Sequence, residues 1–366
     1  MSRITRFVTS TGFIAALVLP ALSILLPVSA TEIENRRLQS PEVTAAGLLD
    51  PAFYEEAMVY IRDANPVRAA LIRLGASIDL NLFDDSPDPS RVFKGLDDWL
   101  YFRSTVTEGC TTPPQVVASN VGRFIRRLER EAGTVVFTIA PSKFEIHPEH
   151  LNPSQFLLTE CARENSEELQ ALLDALPLEH YVDGWDLFEA MKDGGVQPYF
   201  RTDTHFNYEG AIPWIEALVN EIAPIWDASA VEAQGTTDFQ GNLMSFLGLT
   251  EPERVRHIVV DRMSPVEPVD IRLNGNLREY EFSDHNLEMI QGEAIILGDS
   301  FIDLPETSLV QFFEHATVLD WRDPGAVDYF LTNSRHADVV IVEVSAMDIW
   351  RLFADQTLLM RYSDGT

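Results

Sequence analysis

The sequence predicts an α/β fold built on a parallel sheet that is covered on both faces. Three short runs are almost entirely apolar, as is typical of strands buried on both sides: 134–140 (T-V-V-F-T-I-A), 294–297 (A-I-I-L) and 339–344 (V-V-I-V-E-V). Segments with helical periodicity separate these runs. Strands that alternate with helices in this way indicate βαβ units, with helices on both faces of the sheet.

The composition narrows the possible functions. The chain has 366 residues, 46% of them hydrophobic, and its formal net charge is −30. Such acidity argues against a nucleic-acid partner, because phosphate binding needs basic side chains. It also disfavours adhesion of the folded surface to an anionic bilayer. No glycine-rich dinucleotide-binding loop is recognisable, and the sequence predicts no cofactor.

Residues 1–30 are interpreted as an export segment. Arg3 and Arg6 give it a positive start, the stretch 13–28 is mostly apolar, and the small residues at 28–30 (V-S-A) are typical of a cleavage site. The segment is either a cleaved signal peptide or an uncleaved signal anchor in the inner membrane. Both alternatives place the rest of the chain outside the cytoplasm.

The chain has two cysteines, Cys110 and Cys161. A small even number of cysteines in an exported protein favours one disulfide bond, which would close a long loop between them. Two free, buried thiols are the alternative.

A lead-in is predicted over 31–90. Its helical stretch is expected to be interrupted at Pro51 and Pro66, and a polar, proline-rich loop at 84–89 (D-D-S-P-D-P) ends it. We interpret this loop as the end of the lead-in and not as a linker between two domains.

A single domain is predicted over 91–366. Its expected elements, in chain order, are an aromatic-rich strand within 92–102, a helix at 114–131, the strand 134–140, a helix from an Asn165 cap to Leu176, a strand at 181–187, a helix capped by Asn207, the strand that ends at 297, a helix at 308–315, a strand at 317–320, a helix at 327–333 and the strand 339–344. The stretch between 222 and 291 is expected to be irregular.

Ser300 is the first candidate for chemistry. It follows the apolar strand 294–297 and the turn residue Gly298, so it is expected in the crevice at the carboxyl end of the sheet. A serine hydroxyl is a weak nucleophile until a base takes its proton. An ordinary turn at 298–300 (G-D-S) is the alternative interpretation.

His205 is the best candidate base among the eight histidines, and Asp203 could orient its imidazole through the second ring nitrogen. Both lie in the stretch 201–207 (R-T-D-T-H-F-N), just before the helix that Asn207 is expected to cap. The order Asp, His, Ser is one of several in which such triads occur. The alternative is that the pair only caps this helix.

No metal site is predicted. His147 and His150 have a His-x-x-His spacing that can bind zinc on a helix, but Pro148 between them makes a helical pair doubtful.

Five stretches together resemble the alginate O-acetyltransferase family of the AlgX and AlgJ type, also described as DHHW proteins. They are E-N-R at 34–36, G-L-D-D-W-L-Y at 95–101, P-S-K at 141–143, Y-F-R-T-D-T-H-F-N-Y-E-G-A at 199–211 and G-D-S-F at 298–301. The family pattern has a tryptophan and a turn glycine where this chain has Phe206 and Asp98.

The resemblance implies a three-layer, SGNH-hydrolase-like fold with a central parallel sheet and a circularly rearranged motif order, in which the serine block comes last. It also implies periplasmic transfer of acetyl groups onto the hydroxyls of an alginate-like exopolysaccharide. By carry-over onto matching positions, Ser300 is the nucleophile, His205 the base and Asp203 the orienting carboxylate. The transfer would pass through an acetyl-serine ester.

The resemblance further suggests oxyanion or substrate contacts, at Asn242, Gly241, Tyr199, Arg201 and Lys143. Its implied partners are a polysaccharide acceptor and an acetyl donor, which a membrane-bound O-acyltransferase could supply. Two alternatives stay open. A carbohydrate acetyl esterase would use the same triad with water as acceptor, and a catalytically idle scaffold of a polysaccharide-export complex would need no triad.

Overall fold

The computed structural model describes residues 43–44, 50–63, 66–262, 277–282 and 287–364. The export segment expected at 1–30 and the E-N-R stretch at 34–36 lie outside these residues, so both stay predictions. Within the described part of the chain, no helix is both long and apolar enough to cross a membrane.

The chain divides into two compact units. The first comprises the described residues up to Lys94 together with Gln240–Pro252, and the second comprises Gly95–Phe239 and Glu253–Thr366. The boundary predicted near residue 90 stays a prediction, and it did not anticipate that Gln240–Pro252 would group with the N-terminal segment.

The helices that the structure describes are α1 Pro51–Asp63, α2 Pro66–Leu82, α3 Arg103–Glu108, α4 Pro114–Leu128, α5 Lys143–Ile146, α6 Pro153–Leu158, α7 Glu160–Asp174, α8 Gly184–Asp193, α9 Tyr208–Ile222, α10 Asn242–Phe246, α11 Glu306–Leu309, α12 Pro324–Asn333, α13 Ile349–Leu352 and α14 Thr357–Asp364. The strands are β1 Val92–Lys94, β2 Leu100–Phe102, β3 Thr134–Ala140, β4 His180–Val182, β5 Val231–Phe239, β6 Glu253–Val260, β7 Leu277–Glu281, β8 Ile290–Gly298, β9 Phe313–Asp320 and β10 Val339–Ser345.

In the first unit, Pro51 and Pro66 are the first residues of α1 and α2. Proline suits the first position of a helix, since its missing N–H would have no partner there and its φ is already helical. The break expected at Pro66 is confirmed, and residues 45–49, before Pro51, lie outside the described part of the chain.

The second unit is organised around a six-stranded sheet with the order β4-β3-β10-β8-β9-β7. Five of the strands run parallel, and β7 pairs antiparallel with β9 at one edge. The expected central parallel sheet is confirmed. β10 lies between β3 and β8 and is buried along its whole length, which explains its almost uninterrupted apolar sequence.

Helices pack on the sheet in two groups and give the three layers expected. Helix α4 contacts β3, and helix α12 contacts β8 and β9. Helix α14 packs against both α4 and α12. α8 and α9 pack against each other and against β3. Large rings fill these layers, with Phe124 near Phe330 and Phe353, and Phe188 near Phe206.

Four sequence-based expectations are wrong in detail. Asn165 does not cap a helix, because α7 has already begun at Glu160. The strand expected at 181–187 ends at Val182, where Asp183 accepts hydrogen bonds from the N–H groups of Trp185 and Asp186 and so begins α8.

The stretch between 222 and 291 contains an antiparallel pair, β5 and β6, and the edge strand β7. The helix expected at 308–315 is confined to its first residues, since β9 begins at Phe313. Pairing with the buried strand β8 outweighs the weak helical pattern of that stretch.

Cys110 and Cys161 form a disulfide bond with a Cα–Cα distance of 6.0 Å. The bond joins the turn after α3 to the first turn of α7, both within the second unit.

Candidate active site

The carboxyl ends of the parallel strands meet at one edge of the sheet. The strand register places Gly298 opposite Asp320, and Ser345 opposite Ala140. Residues that follow these positions are therefore delivered into one crevice, where ligands of open α/β sheets bind. Ser300 lies there, partly exposed, two residues beyond the end of β8.

Gly298 leaves no room for a side chain. A Cβ atom at this position would lie 2.5 Å from Ile302 Cγ1 and 2.8 Å from Glu343 Oε2. Glycine therefore lets the strand end pass close to β10 before the chain turns towards Ser300.

The turn that carries Ser300 is fixed by Asp299, whose carboxylate is buried. One carboxylate oxygen accepts a hydrogen bond from Phe301 N at 3.0 Å, and the other accepts one from Ser345 N at 2.8 Å. The backbone N–H of Asp299 donates to Glu343 Oε2 at 2.9 Å. Three hydrogen bonds thus hold the residue before Ser300 to its surroundings.

Burial raises the pKa of Glu343 well above its usual range, and the neighbouring Asp299 carboxylate adds to the effect. Burial also raises the pKa of Asp299, while hydrogen bonds from Phe301 and Ser345 oppose that shift. Burial beside the Asp299 carboxylate therefore favours the neutral form of Glu343 beneath the turn.

The other half of the site is the loop that precedes α9. Asn207 caps this helix by accepting hydrogen bonds from Glu209 N and Gly210 N, as expected from the sequence. Its amide nitrogen also donates to the carbonyl oxygens of Gln197 and Tyr199. These hydrogen bonds therefore fix the end of the loop that adjoins α9.

The two halves meet in one chain of hydrogen bonds. His205 Nε2 lies 2.8 Å from Ser300 Oγ, and His205 Nδ1 lies 2.6 Å from Asp203 Oδ1. Asp203 is 3% exposed, and its Oδ1 also accepts the backbone N–H of His205 at 3.0 Å. The carboxylate thus fixes the ring, and Nδ1–H donation to it leaves the Nε2 lone pair directed at the serine hydroxyl.

Aromatic rings support the imidazole. The ring of Phe301 packs edge-on against His205 with the centroids 4.6 Å apart, and it also contacts Phe206. The His205 side chain is nevertheless 20% exposed, so a reactant can approach it from solvent.

Two of the other predicted site residues lie behind the loop. Tyr199 is fully buried and donates its hydroxyl proton to Pro141 O at 2.5 Å. Lys143 is also buried, and its ammonium group donates to three backbone carbonyls. Their polar atoms are thus engaged within the protein, and contacts of these two side chains with substrate stay predictions.

Arg201 is about half exposed, and it borders a cavity of about 200 Å³. The other residues around this cavity include Glu209, Arg254 and Arg256. Gly241 and Asn242 begin α10 in the first unit. A substrate role for Arg201 and an oxyanion role for Gly241 or Asn242 stay predictions.

Within the described part of the chain, one group of metal-ligating side chains comes together: His147, Glu149 and His150 place ligand atoms within 4.8 Å of one another. The Glu149 carboxylate already pairs with Lys192 Nζ at 2.7 Å and with His147 Nδ1 at 3.0 Å. The Lys192 ammonium group thus pairs with the charge of this carboxylate.

Sequence reasoning missed two buried carboxylates that hold the site. Glu343 interrupts the apolar run 339–344, and a single charge in such a run was a usable signal of a buried acid. Glu253 accepts hydrogen bonds from Arg201 N and Thr202 N, but nothing in its neighbouring sequence marks it.

The chain matches a family model and a curated protein. Residues 92–318 match the family model described as "SGNH hydrolase-like domain, acetyltransferase AlgX". A curated protein from Pseudomonas fluorescens, "Probable alginate O-acetylase AlgJ", is 24% identical over 261 residues, which are 69% of this chain and 63% of that protein. The match therefore spans less than two thirds of the relative's length.

Solved structures with the same fold include the O-acetyltransferase domain of Pseudomonas putida AlgJ. Its TM-score is 0.51 at 17% identity, and the match covers 75% of this chain and 99% of that one. Bacillus cereus PatB1 with a sulfonyl adduct has a TM-score of 0.49 at 16% identity, over 70% and 94% of the two chains. Because the family model spans more than half of the chain, this protein belongs to the AlgX-type family of SGNH hydrolase-like acetyltransferase domains.

Proposed function

We propose that this protein transfers acetyl groups onto hydroxyls of an alginate-like exopolysaccharide, with Ser300 as the nucleophile. The observation that carries the proposal is the position of His205, which is hydrogen-bonded both to Ser300 Oγ and to the Asp203 carboxylate. Family membership supports the reaction class, and the relative named an alginate O-acetylase supports the acceptor class.

In the first half-reaction, His205 Nε2 takes the Ser300 proton as the serine oxygen attacks the acetyl carbon of the donor. Asp203 stabilises the imidazolium that forms and keeps the ring in place. The proton then passes from His205 to the leaving group, whose bond to the acetyl carbon breaks. The product is an acetyl ester on Ser300.

In the second half-reaction, a sugar hydroxyl gives its proton to His205 and attacks the same carbon. The proton returns to Ser300 Oγ as the ester bond breaks, and the acetyl group leaves on the sugar. The backbone N–H of Ser300 is the proposed oxyanion donor. Loss of one such donor typically lowers the rate about 10²–10³-fold.

The acceptor and the donor are both expected outside the cytoplasm, in the periplasm. The sequence of residues 1–30, with its positive start and apolar run, supports this location. A membrane-bound O-acyltransferase is the proposed source of the acetyl group. If the segment is not cleaved, it would hold the protein at the inner membrane beside that source.

The direct test compares the wild type with Ser300→Ala, using a small acetyl ester as donor and uronate oligosaccharides as acceptors. Ser229→Ala is a matched control, because Ser229 is exposed and hydrogen-bonds only to Asp227 among the described residues. Mass spectrometry of the wild type should show acetyl on the peptide that contains Ser300, and Ser300→Ala should lose turnover and this adduct. Full turnover in Ser300→Ala would overturn the proposal.

Water is the competing acceptor, because the His205 side chain is partly exposed. The ratio of acetylated oligosaccharide to free acetate therefore decides between a transferase and a carbohydrate esterase. An excess of transfer over hydrolysis at saturating acceptor is expected. Acetate as the sole product would make the protein an esterase, with Ser300 in the same role.

A further inference from the structure

Lys143 holds the backbone of the loop that carries Asp203 and His205. Its Nζ donates to the carbonyl oxygens of Phe200 at 3.1 Å, Arg201 at 3.0 Å and Asp203 at 2.5 Å. An ammonium group has three protons, so these carbonyls use all of them. Lys143 is 4% exposed, and it begins the short helix α5 directly after β3 ends.

Glu253 binds the same loop through the backbone N–H groups of the loop. Its Oε1 and Oε2 accept hydrogen bonds from Arg201 N at 3.2 and 3.1 Å, and Oε2 also accepts one from Thr202 N at 3.1 Å. Glu253 is 6% exposed and begins β6. A buried cation thus binds the loop's carbonyls, and a buried anion binds its amides.

The two charges also influence each other. Burial lowers the pKa of Lys143 to about 7, and the carboxylates of Asp203 and Glu253 oppose that shift. Burial raises the pKa of Glu253, and the Lys143 ammonium opposes this in turn. Buried charges are costly unless they are paired and hydrogen-bonded. The charged forms of Lys143 and Glu253 therefore both depend on their hydrogen bonds to the loop between them.

We infer that Lys143 and Glu253 form a clamp that sets the positions of Asp203 and His205, and that both are positioning residues for the site. The expected effect of the clamp on catalysis rests on the proposed function, whereas the positions that it sets do not. Both side chains are buried, and their polar atoms bind the backbone of the loop. A shift of about 1 Å in such a loop can cost about 10²-fold in rate.

The first test is Lys143→Met, which keeps the length of the side chain and removes its three donors. Lys192→Met is a matched control, because Lys192 also donates to a backbone carbonyl, that of Ile146, but not to the loop. The rate at which a sulfonyl fluoride labels Ser300 should fall about 10²-fold in Lys143→Met and stay at the wild-type value in Lys192→Met. The KM for the acetyl donor should change little.

The second test removes charge from the other side of the clamp. Glu253→Gln keeps an oxygen that can accept from the loop, so its labelling rate should fall less than that of Glu253→Leu. Adding Lys143→Met to Glu253→Leu should cost little more than the worse single change, because both changes release one loop. Wild-type labelling in Glu253→Leu would overturn the inference, even if Lys143→Met fails to fold.

A spectroscopic readout separates the clamp from catalysis. The Nδ1–H proton of His205, hydrogen-bonded to Asp203, should give a downfield NMR signal in the wild type and in Lys192→Met. Lys143→Met and Glu253→Leu should weaken or lose this signal. An unchanged signal in both variants would overturn the clamp, whereas failure of the wild type to label at Ser300 would count only against the proposed function.

Discussion

The Asp299 carboxylate accepts a hydrogen bond from the backbone N–H of Ser345 at 2.8 Å. This contact ties the turn before Ser300 to the end of the neighbouring strand β10. Because the other carboxylate oxygen binds the N–H of Phe301, one buried side chain fixes the backbone on both sides of the candidate nucleophile. The serine is therefore held by backbone contacts that do not depend on substrate.

Asp299→Ala should leave the N–H groups of Phe301 and Ser345 without their acceptor. A buried, unsatisfied donor costs roughly 1–3 kcal/mol, so the melting temperature and the labelling rate of Ser300 should both fall. Asp299→Asn, which keeps one good acceptor, should lie between alanine and wild type. Asp355→Ala, which removes an exposed carboxylate bound to Thr357 N, is the control: it should lower the melting temperature less than Asp299→Ala and leave the labelling rate unchanged. Equal melting of Asp299→Ala and wild type would contradict this account.

Asp203→Asn should keep the fold and lose activity. An amide NH₂ beside Nδ1 of His205 favours the tautomer that places a proton on Nε2, so the lone pair facing Ser300 is lost. In the serine proteases the same change costs about 10⁴ in turnover. Turnover per folded molecule is the measurement, with a melting curve on the same samples.

His205→Ala should cost at least as much as Asp203→Asn, and the double variant should be little worse than the worse single one. The competing view is that Asp203 and His205 only support the helix start at Asn207. That view predicts a loss of about 1 kcal/mol in stability with normal turnover of the folded fraction. A variant that melts earlier but turns over normally would favour it.

Reduction of the bond between Cys110 and Cys161 should destabilise the second unit. The bond closes a loop with a sequence separation of 51, which corresponds to roughly 4 kcal/mol in the chain-entropy model. Urea unfolding with and without reductant measures this difference. A Cys110→Ser, Cys161→Ser double variant should match the reduced protein and should not respond to reductant. Two free thiols in exported protein would remove the prediction.

Acid should destabilise the protein partly through His147. Burial lowers the pKa of His147 to about 4 in the folded protein, whereas an unfolded histidine titrates near 6.5. Between these values the unfolded chain binds a proton that the folded chain does not. The contribution of the neutral, buried His147 to the free energy of unfolding is therefore complete above about pH 6.5 and is lost as the pH falls towards 4.

His147→Asn should reduce this dependence, because it removes the titrating ring and keeps a donor for Glu149. The free energy of unfolding, measured in urea at several pH values and constant ionic strength, should change less between pH 6.5 and 4 in the variant than in the wild type. Over this pH range, the change in the free energy of unfolding should differ between the two proteins by at most about 3 kcal/mol. Parallel curves for the two proteins would contradict the prediction.

The apolar runs were sufficient to predict the central sheet. Strands β3 and β10 and the second half of β8, from Ala294 to Gly298, are buried on both faces, so almost all of these residues are apolar and the pattern is visible without any partner. Asn207 was also predictable as a cap, because a side-chain acceptor for the first helical N–H groups acts over two or three residues. The stretches that carry Ser300 and His205 could be singled out for the same local reason.

The edge strand β7 and the β5–β6 pair were not predictable. None of these strands is buried throughout: β5 is partly or fully exposed along its length, and β6 and β7 mix buried with exposed residues. Their formation depends on pairing partners, which for β7 is β9. The start of α7 was misplaced as well, because Asn165 looks like a cap although the helix begins five residues earlier.

The sequence by itself determined that a strand ends at Gly298 and that His205 precedes a capped helix, because both depend on neighbours within a few residues. Only the tertiary structure decided that Ser300 and His205, 95 residues apart, lie within one hydrogen bond of each other. It also decided that Lys143 and Glu253 turn to the loop's backbone and not to solvent. Whether a charged side chain faces water or pairs with a buried partner depends on its surroundings, and those surroundings come from distant segments of the chain.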